Sequence, residues 1–344
     1  MTDRPVKIAI DAMGGDNAPS AIVAGAVRAA RELPHQLLLI GQRDAITQEL
    51  SRYPNVPATV TVHHASEVVT MDEPPAITIR KKRDSSIAVA MQLVKERQAD
   101  AVISAGNTGA MVAAGVFTLG LLPGIERPGI GIVLPGLTSP SLLIDVGANI
   151  EAKPVHLLQY AIMGDSYVRH ILHVARPRIG LLNIGEEAGK GTDLMKETFA
   201  LLEESSLNFI GNVEGRDINA SRADIIVCDG FVGNVALKAL ESLGKAVAAL
   251  LKRELTRNLM TKLGARLARP AFAALRKEID YAEYGGAPLL GLDGVCIICH
   301  GSSSAKAIKN AVAVAAEFVQ HGLNEEIVRF IQQRPGAQTA SPHP

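Results

Sequence analysis

Two side chains stand out for the chemistry they permit: Lys190, in "NIGEEAGKGT", and Asn234, in "CDGFVGN". An ammonium on a glycine-rich loop attracts a small anion, and a carboxamide N–H steadies a carbonyl oxygen that is becoming an oxyanion. Their ordinary alternatives are a solvated lysine and a helix N-cap. A third stretch, "VISAGNTGAMVAAG" over 102–115, passes from an apolar strand pattern through Ser104, Gly106, Asn107, Thr108 and Gly109 into small helical residues. Such a turn offers unpaired N–H groups and the positive end of a helix dipole, a setting for phosphate. A tight strand-to-helix connector without a ligand has the same composition.

Further polar residues fall where strands are expected to end: Asp11, Asp145, Asn149, Asn183, Glu186, Asp229 and His300. Glycines accompany them, with Gly14, Gly15 and Asp16 behind Asp11, Gly185 before Glu186, Gly233 before Asn234 and Gly301 behind His300. In a parallel α/β sheet, ligands collect at the carboxyl ends of the strands. The set is therefore expected on a single rim, each Asn or Asp having helix capping as its bland alternative. A lone histidine such as His300 is more often a structural hydrogen-bonder than a general acid.

Two tempting motifs fail on spacing. "CIICH" (296–300) has the letters of a haem-attachment or half-zinc motif, but it reads as a strand, in which Cys296 and Cys299 point to opposite faces. No second cysteine pair completes a zinc site. "GEEAGKGT" has three residues between its first glycine and Gly-Lys where a P-loop has four, and two of the three are glutamates. No G-x-G-x-x-G follows the first strand, so a dinucleotide fold is not signalled. Neither a metal nor a cofactor is expected.

The elements that must position these residues are short apolar runs alternating with helical stretches. The runs are "VKIAID", "QLLLIG", "ATVTVHH", "DAVISAG", "GIGIVLP", "SLLIDVG", "RIGLLNIG", "NFIGNV", "ADIIVCDG" and "GVCIIC"; the helices include Ser20 to Glu32, Ile87 to Arg97, Pro154 to His173 and Ser304 to Val319. Near-continuous apolar strands between helices specify an α/β fold whose largely parallel sheet is covered on both faces. With 344 residues and 47% hydrophobic content the chain can bury a large core. One domain is expected over 1–331, with a disordered tail over 332–344.

Equal numbers of basic and acidic residues, 35 each, together with 3% aromatics and no Trp, argue against nucleic acid. No signal-peptide pattern and no membrane-length apolar run are present, so a cytoplasmic protein with reduced, buried cysteines is expected. One segment differs from the rest. Lys245 to Lys277 holds nine basic residues and one acidic one, Glu254. Leu251, Leu255, Leu259, Leu263 and Leu267 recur every fourth residue, with Lys252, Arg253, Arg257, Lys262, Arg266 and Arg269 between them. This reads as a basic amphipathic helix over 245–278, ended or kinked by Pro270. It suits an acidic carrier protein, an anionic membrane or a second subunit.

Taken in order, "IAIDAMGGDNAP", "SAGNTGA", "GIERP", "IDVGAN", "AIMG", "LLNIGEE…KG", "DGFVGNVALK" and "GGAPLLGLDG…HG" resemble the bacterial phosphate acyltransferase family called PlsX, from about Lys7 to beyond Ile308. The resemblance implies transfer of a fatty acyl group from acyl carrier protein to inorganic phosphate, giving acyl phosphate for a membrane glycerol-3-phosphate acyltransferase in phospholipid synthesis. It implies a homodimer with its site near the interface, and a Rossmann-like αβα sandwich similar to phosphate acetyltransferases and to isocitrate and isopropylmalate dehydrogenases, with a projecting helical segment. It also associates activity with Lys190 and Asn234. On this reading the Asn107–Thr108 turn and Lys190 hold phosphate while Asn234 steadies the thioester oxygen. The alternatives are a coenzyme A-dependent phosphate acetyltransferase and a non-catalytic peripheral membrane scaffold; a decarboxylating dehydrogenase lacks a clear aspartate cluster for Mg²⁺.

Overall fold

Every strand run read from the sequence is a strand in the computed structural model, which describes residues 4–279 and 284–333. The strands are β1 (Lys7–Asp11), β2 (Gln36–Gly41), β3 (Val60–His64), β4 (Ala101–Ser104), β5 (Gly129–Leu134), β6 (Ser141–Ile144), β7 (Ile179–Leu182), β8 (Phe209–Val213), β9 (Ile225–Val227), β10 (Ala287–Leu290) and β11 (Val295–Ile298). Between them lie α1 (Ser20–Glu32), α2 (Arg43–Leu50), α3 (Pro75–Lys81), α4 (Ser86–Lys95), α5 (Thr108–Ala114), α6 (Pro154–Ile171) and α7 (Asp193–Glu203). The remaining helices are α8 (Gly230–Leu255), α9 (Leu259–Leu267), α10 (Arg269–Ile279), α11 (Ala305–His321) and α12 (Leu323–Gln332).

All eleven strands form one sheet in the order β3-β2-β1-β4-β11-β10-β5-β6-β9-β7-β8. Side chains alternate across it with the two-residue period of a strand. Val295, Ile297 and Cys299 enter the core layer under α1, α6, α11 and α12, whereas Cys296 and Ile298 enter the layer under α4 and α5. The two cysteines therefore diverge, as the strand reading of "CIICH" requires. Helix α6 is buried all round from His156 to Val168, being wedged between the sheet and its helical neighbours.

The sheet is largely parallel but reverses in the middle. β10 is antiparallel to both β11 and β5, and β5 is antiparallel to β6. From β6 onward the ladders are parallel again. β6, β7, β8 and β9 consequently run against β1–β4 and β11. The carboxyl ends of the strands form two rims of opposite polarity, which corrects the expectation of one.

The basic segment leaves the body of the protein. α8 buries only Gly230 and Gly233, and α9 buries nothing. The expected leucine-striped helix is broken between Thr256 and Asn258, earlier than Pro270. Thr256 Oγ1 donates back to the Lys252 carbonyl at 2.8 Å, and Asn258 caps α9 by accepting the Thr261 N–H at 2.9 Å. Pro270 lies in the first turn of α10, where its missing N–H costs nothing. Gln332 still belongs to α12; residues 334–344 of the expected tail lie outside the described residues.

Candidate active site

The first rim gathers at the carboxyl ends of β1, β4 and β11. Asp11 is 1% exposed; its carboxylate accepts the Ser104 hydroxyl at 2.6 Å and the Met13 N–H at 3.1 Å, while Ser104 Oγ accepts the Gly106 N–H at 3.0 Å. Burial pushes the Asp11 carboxyl up against the pull of these hydrogen bonds. The glycines here are packing requirements. A Cβ on Gly14 would stand 2.5 Å from Asp11 Oδ2, and one on Gly15 2.9 Å from the Gly301 carbonyl, which accepts the Asp16 N–H. Gly109 likewise makes room for Pro75.

Asn107 is a cap and a strut. Its Oδ1 accepts the Ala110 N–H at 3.0 Å and its Nδ2 donates to the Met71 carbonyl at 3.0 Å. Its carboxamide is spent, which leaves Thr108, exposed at the start of α5, as the polar side chain the turn offers. Lys190 belongs to the other rim, so the expectation that Asn107 and Lys190 hold one phosphate gives way. His300 also stays with the first rim, where its Nδ1 accepts the Ser302 N–H at 3.1 Å in a local turn.

The second rim is built on β6, β7 and β9. Asp145, 0% exposed, follows β6 and accepts main-chain N–H groups from Ile130, Gly147, Ala148 and Asn149 at 2.7 to 3.1 Å. Burial nevertheless pushes its carboxyl up. The loop it shapes receives the start of α8: the Asn149 carbonyl accepts the Gly230 N–H at 3.0 Å, and Asp229 caps the helix through Phe231 and Val232. Gly233 sits so close to Asp145 that a Cβ would be 1.9 Å from its carbonyl oxygen. The next residue, Asn234, is exposed and lies over Gly147.

Lys190 reaches this rim from the β7–α7 loop. Asn183 clasps that loop, donating from Nδ2 to the Lys190 carbonyl at 3.1 Å and accepting the Ile184 N–H at 2.8 Å. Gly191, at φ +86°, is required because a Cβ would be 2.3 Å from Asn183 Oδ1. The Lys190 stem runs past Gly185. Asn183 thus clasps the loop that carries Lys190. Glu186 is taken by Arg222 at 2.6 Å and Arg216 at 3.3 Å, which hold its carboxyl below the usual range. One of the two glutamates that argue against an anion is therefore neutralised; the Glu187 carboxylate stays beside Gly185, and the exposed Lys190 has no ion pair among the described residues.

Sequence reasoning gives no role to the residues that build this rim from behind. Asp145 and Asp229 are legible only as strand-end carboxylates, and Arg216 and Arg222 carry no motif. Behind Asn149 lies His156, 3% exposed, whose Nδ1 faces Asn149 Nδ2 at 3.2 Å and whose Nε2 faces Glu126 at 3.2 Å. Burial lowers the His156 pKa although Glu126 opposes it.

The family model described as "Fatty acid synthesis protein" matches residues 6–326. A phosphate acyltransferase of Geotalea uraniireducens is 52% identical over 328 residues, covering 95% of each chain. One of Heliobacterium modesticaldum is 54% identical over 95% of this chain and 98% of its own. The chain belongs to the PlsX phosphate acyltransferase family. It is an acyltransferase of fatty-acid and phospholipid synthesis. Its fold is that of a phosphotransacetylase from Streptococcus pyogenes, with a TM-score of 0.63 at 17% identity over 92% of this chain and 95% of that one. A 4-hydroxythreonine-4-phosphate dehydrogenase from Klebsiella pneumoniae shares it with a TM-score of 0.51 at 12% identity over 92% and 100%.

Within this phosphate acyltransferase Cys228, Cys296 and Cys299 are free and buried; burial pushes the Cys299 thiol up to about 12, far from a reactive thiolate. Among the described residues no group of His, Cys, Asp or Glu is arranged to hold a metal ion, and no helix is long and apolar enough to cross a membrane. Lys252, Arg253, Arg257, Lys262 and Arg266 are exposed along α8 and α9 beside Leu259 (84% exposed) and Leu263 (56%). At 1.5 Å per residue the end of α8 stands roughly 30 Å from Asn234.

Proposed function

We propose that this chain transfers a long-chain fatty acyl group from acyl carrier protein to inorganic phosphate, and that the second rim carries the reaction. A phosphate oxygen attacks the thioester carbonyl carbon, a C–O bond forms, the C–S bond breaks, and the thiolate leaves to take a proton from solvent. The thioester is already electrophilic and thiolate is a good leaving group, so positioning and charge stabilisation supply the catalysis. Lys190 holds the phosphate. Asn234 donates from Nδ2 to the carbonyl oxygen as it gains charge.

One observation carries this assignment. β7 and β9 are neighbours in the sheet, and the loop after β7 and the start of α8 after β9 carry an unpaired lysine and an exposed carboxamide on the same rim. The product is a mixed anhydride suited to acylation of glycerol-3-phosphate, and the enzyme is read as a homodimer, both following from the family resemblance. The α8–α10 arm, apolar and basic, suits peripheral contact with an anionic membrane, with carrier-protein docking as the competing use.

The test is incubation with long-chain acyl-carrier protein and inorganic phosphate, following free thiol and trapping acyl phosphate with hydroxylamine. Phosphate-dependent production of both supports the reading. Turnover of short acyl-coenzyme A in place of the carrier substrate would move the donor assignment.

A further inference from the structure

Glu126, His156 and Asn149 form a hydrogen-bonded chain behind the second rim, and none of them takes part in the steps above. His156 lies in the first turn of α6 and its Nδ1 accepts the Lys153 N–H at 3.0 Å. A ring nitrogen that accepts a main-chain N–H carries no proton, so the ring proton is on Nε2 and points at the Glu126 carboxylate, 3.2 Å away. Only this tautomer lets Nδ1 hold the Asn149 carboxamide, because a protonated Nδ1 would oppose both donors. Asn149 then acts through its main chain. Its N–H donates to Asp145 Oδ2 at 2.7 Å, and its carbonyl accepts the N–H of Gly230, the first residue of α8. A Cβ on Gly230 would be 2.7 Å from that carbonyl, so the contact has no slack. Asn234 follows one helical turn later.

We propose that Glu126 and His156 are positioning residues for acyl transfer: the pair fixes Asn149, and Asn149 fixes the first turn of α8, from which Asn234 is presented. This rests on the reading of Asn234 given above. The competing account is that His156 only caps α6 through Lys153. The two separate on substitution. His156→Asn places an acceptor oxygen where Nδ1 stands, whereas His156→Gln keeps a donor toward Glu126 and loses that acceptor.

The experiment measures kcat, the phosphate KM and melting temperature for His156→Asn, His156→Gln, Asn149→Ala and the His156→Gln/Asn149→Ala double variant, with acyl-carrier protein and phosphate. His156→Gln is expected to lower kcat by about 10- to 100-fold with the phosphate KM within about threefold, while His156→Asn keeps kcat within about threefold. The double variant is expected to be no slower than the worse single one, because both break the same chain. Glu126→Ala should lower kcat only while residue 156 is histidine, and this exposed substitution supplies the test if His156→Gln fails to fold. Losses that multiply in the double variant, equal loss in Asn and Gln variants, or no loss overturn the proposal. Absence of turnover in the unmodified enzyme would instead overturn the reading on which it rests.

Discussion

Gly233→Ala should inactivate the enzyme through geometry alone. The added methyl would stand 1.9 Å from the Asp145 carbonyl oxygen and 2.8 Å from Cys228 Sγ. Non-bonded heavy atoms keep more than about 3 Å apart, so one side must retreat by about 1 Å. Asp145 cannot yield, being fully buried and tied by four main-chain N–H groups. The displacement therefore falls on α8. A 1 Å retreat would stretch the Gly230 N–H to Asn149 carbonyl contact from its 3.0 Å to about 4 Å, beyond hydrogen-bonding range. The expected loss of stability is about 2–4 kcal/mol, from overpacking and one lost hydrogen bond. Asn234, next in sequence, moves with the helix, and a misplacement of about 1 Å at a donor to the reacting oxygen lowers kcat about 100-fold. The assay is thiol release and hydroxylamine trapping, with thermal unfolding alongside. Gly244→Ala is the control on the same helix: its Cβ meets nothing within 4 Å, and alanine favours the helix by about 1 kcal/mol. Retention of normal turnover and melting temperature by Gly233→Ala would refute the reasoning, as would equal damage from Gly244→Ala.

Lys190→Ala is expected to raise the phosphate KM about 10- to 100-fold with a smaller change in kcat, reflecting a lost charge-assisted contact; an unchanged phosphate dependence discards the role. Asn234→Ala should do the reverse, lowering kcat by about 100- to 1000-fold with little change in the phosphate KM. Burial lifts the Asp224 carboxyl, but hydrogen bonds from Arg178 at 2.7 to 3.0 Å outweigh it and hold the group below its unfolded value of 3.8. A depressed carboxylate stabilises the fold above 3.8, and that contribution is lost as pH falls through the lower native value. Asp224→Asn should therefore lower the melting temperature at pH 7 by a margin that narrows below pH 3.8, and a pH-independent margin contradicts this. Replacing Leu259 and Leu263 together by Gln leaves folding intact, since both are exposed, and should abolish sedimentation with anionic vesicles; lost carrier-protein turnover with intact vesicle binding would reassign the arm.

The strands and the two most reactive-looking side chains are legible in the sequence because each is a local signal: an apolar run, or a glycine-bounded lysine or asparagine. β10 escapes because "APLL" is four residues long, contains Pro288 and follows two glycines. β10 is antiparallel to both neighbours, so it leaves β5 running with β11; the reversal that divides the strand ends into two rims lies at β5 and β6, whose runs are legible but whose pairing is not, since strand polarity is set by partners and not by the run itself. The same limit separates Asn107 from Asn234. Both follow glycine-bounded strand ends and read alike in the sequence, although Asn107 caps α5 while Asn234 lies one turn inside α8, which Asp229 caps. What further distinguishes them lies elsewhere in the chain: the Asn107 carboxamide is consumed in part by carbonyls 34 to 37 residues away, whereas Asn234 stands exposed over Gly147 on a helix docked against Asp145. His156 is masked differently, because thirteen consecutive buried residues from His156 to Val168 make it read as core. Its tautomer becomes meaningful only once Lys153, Asn149 and Glu126 are seen around one ring. Ligand and cap are the same residue type in sequence stretches of the same kind, and the position in the helix together with the tertiary neighbours that use up a hydrogen-bonding group, or leave it free, decide which it becomes.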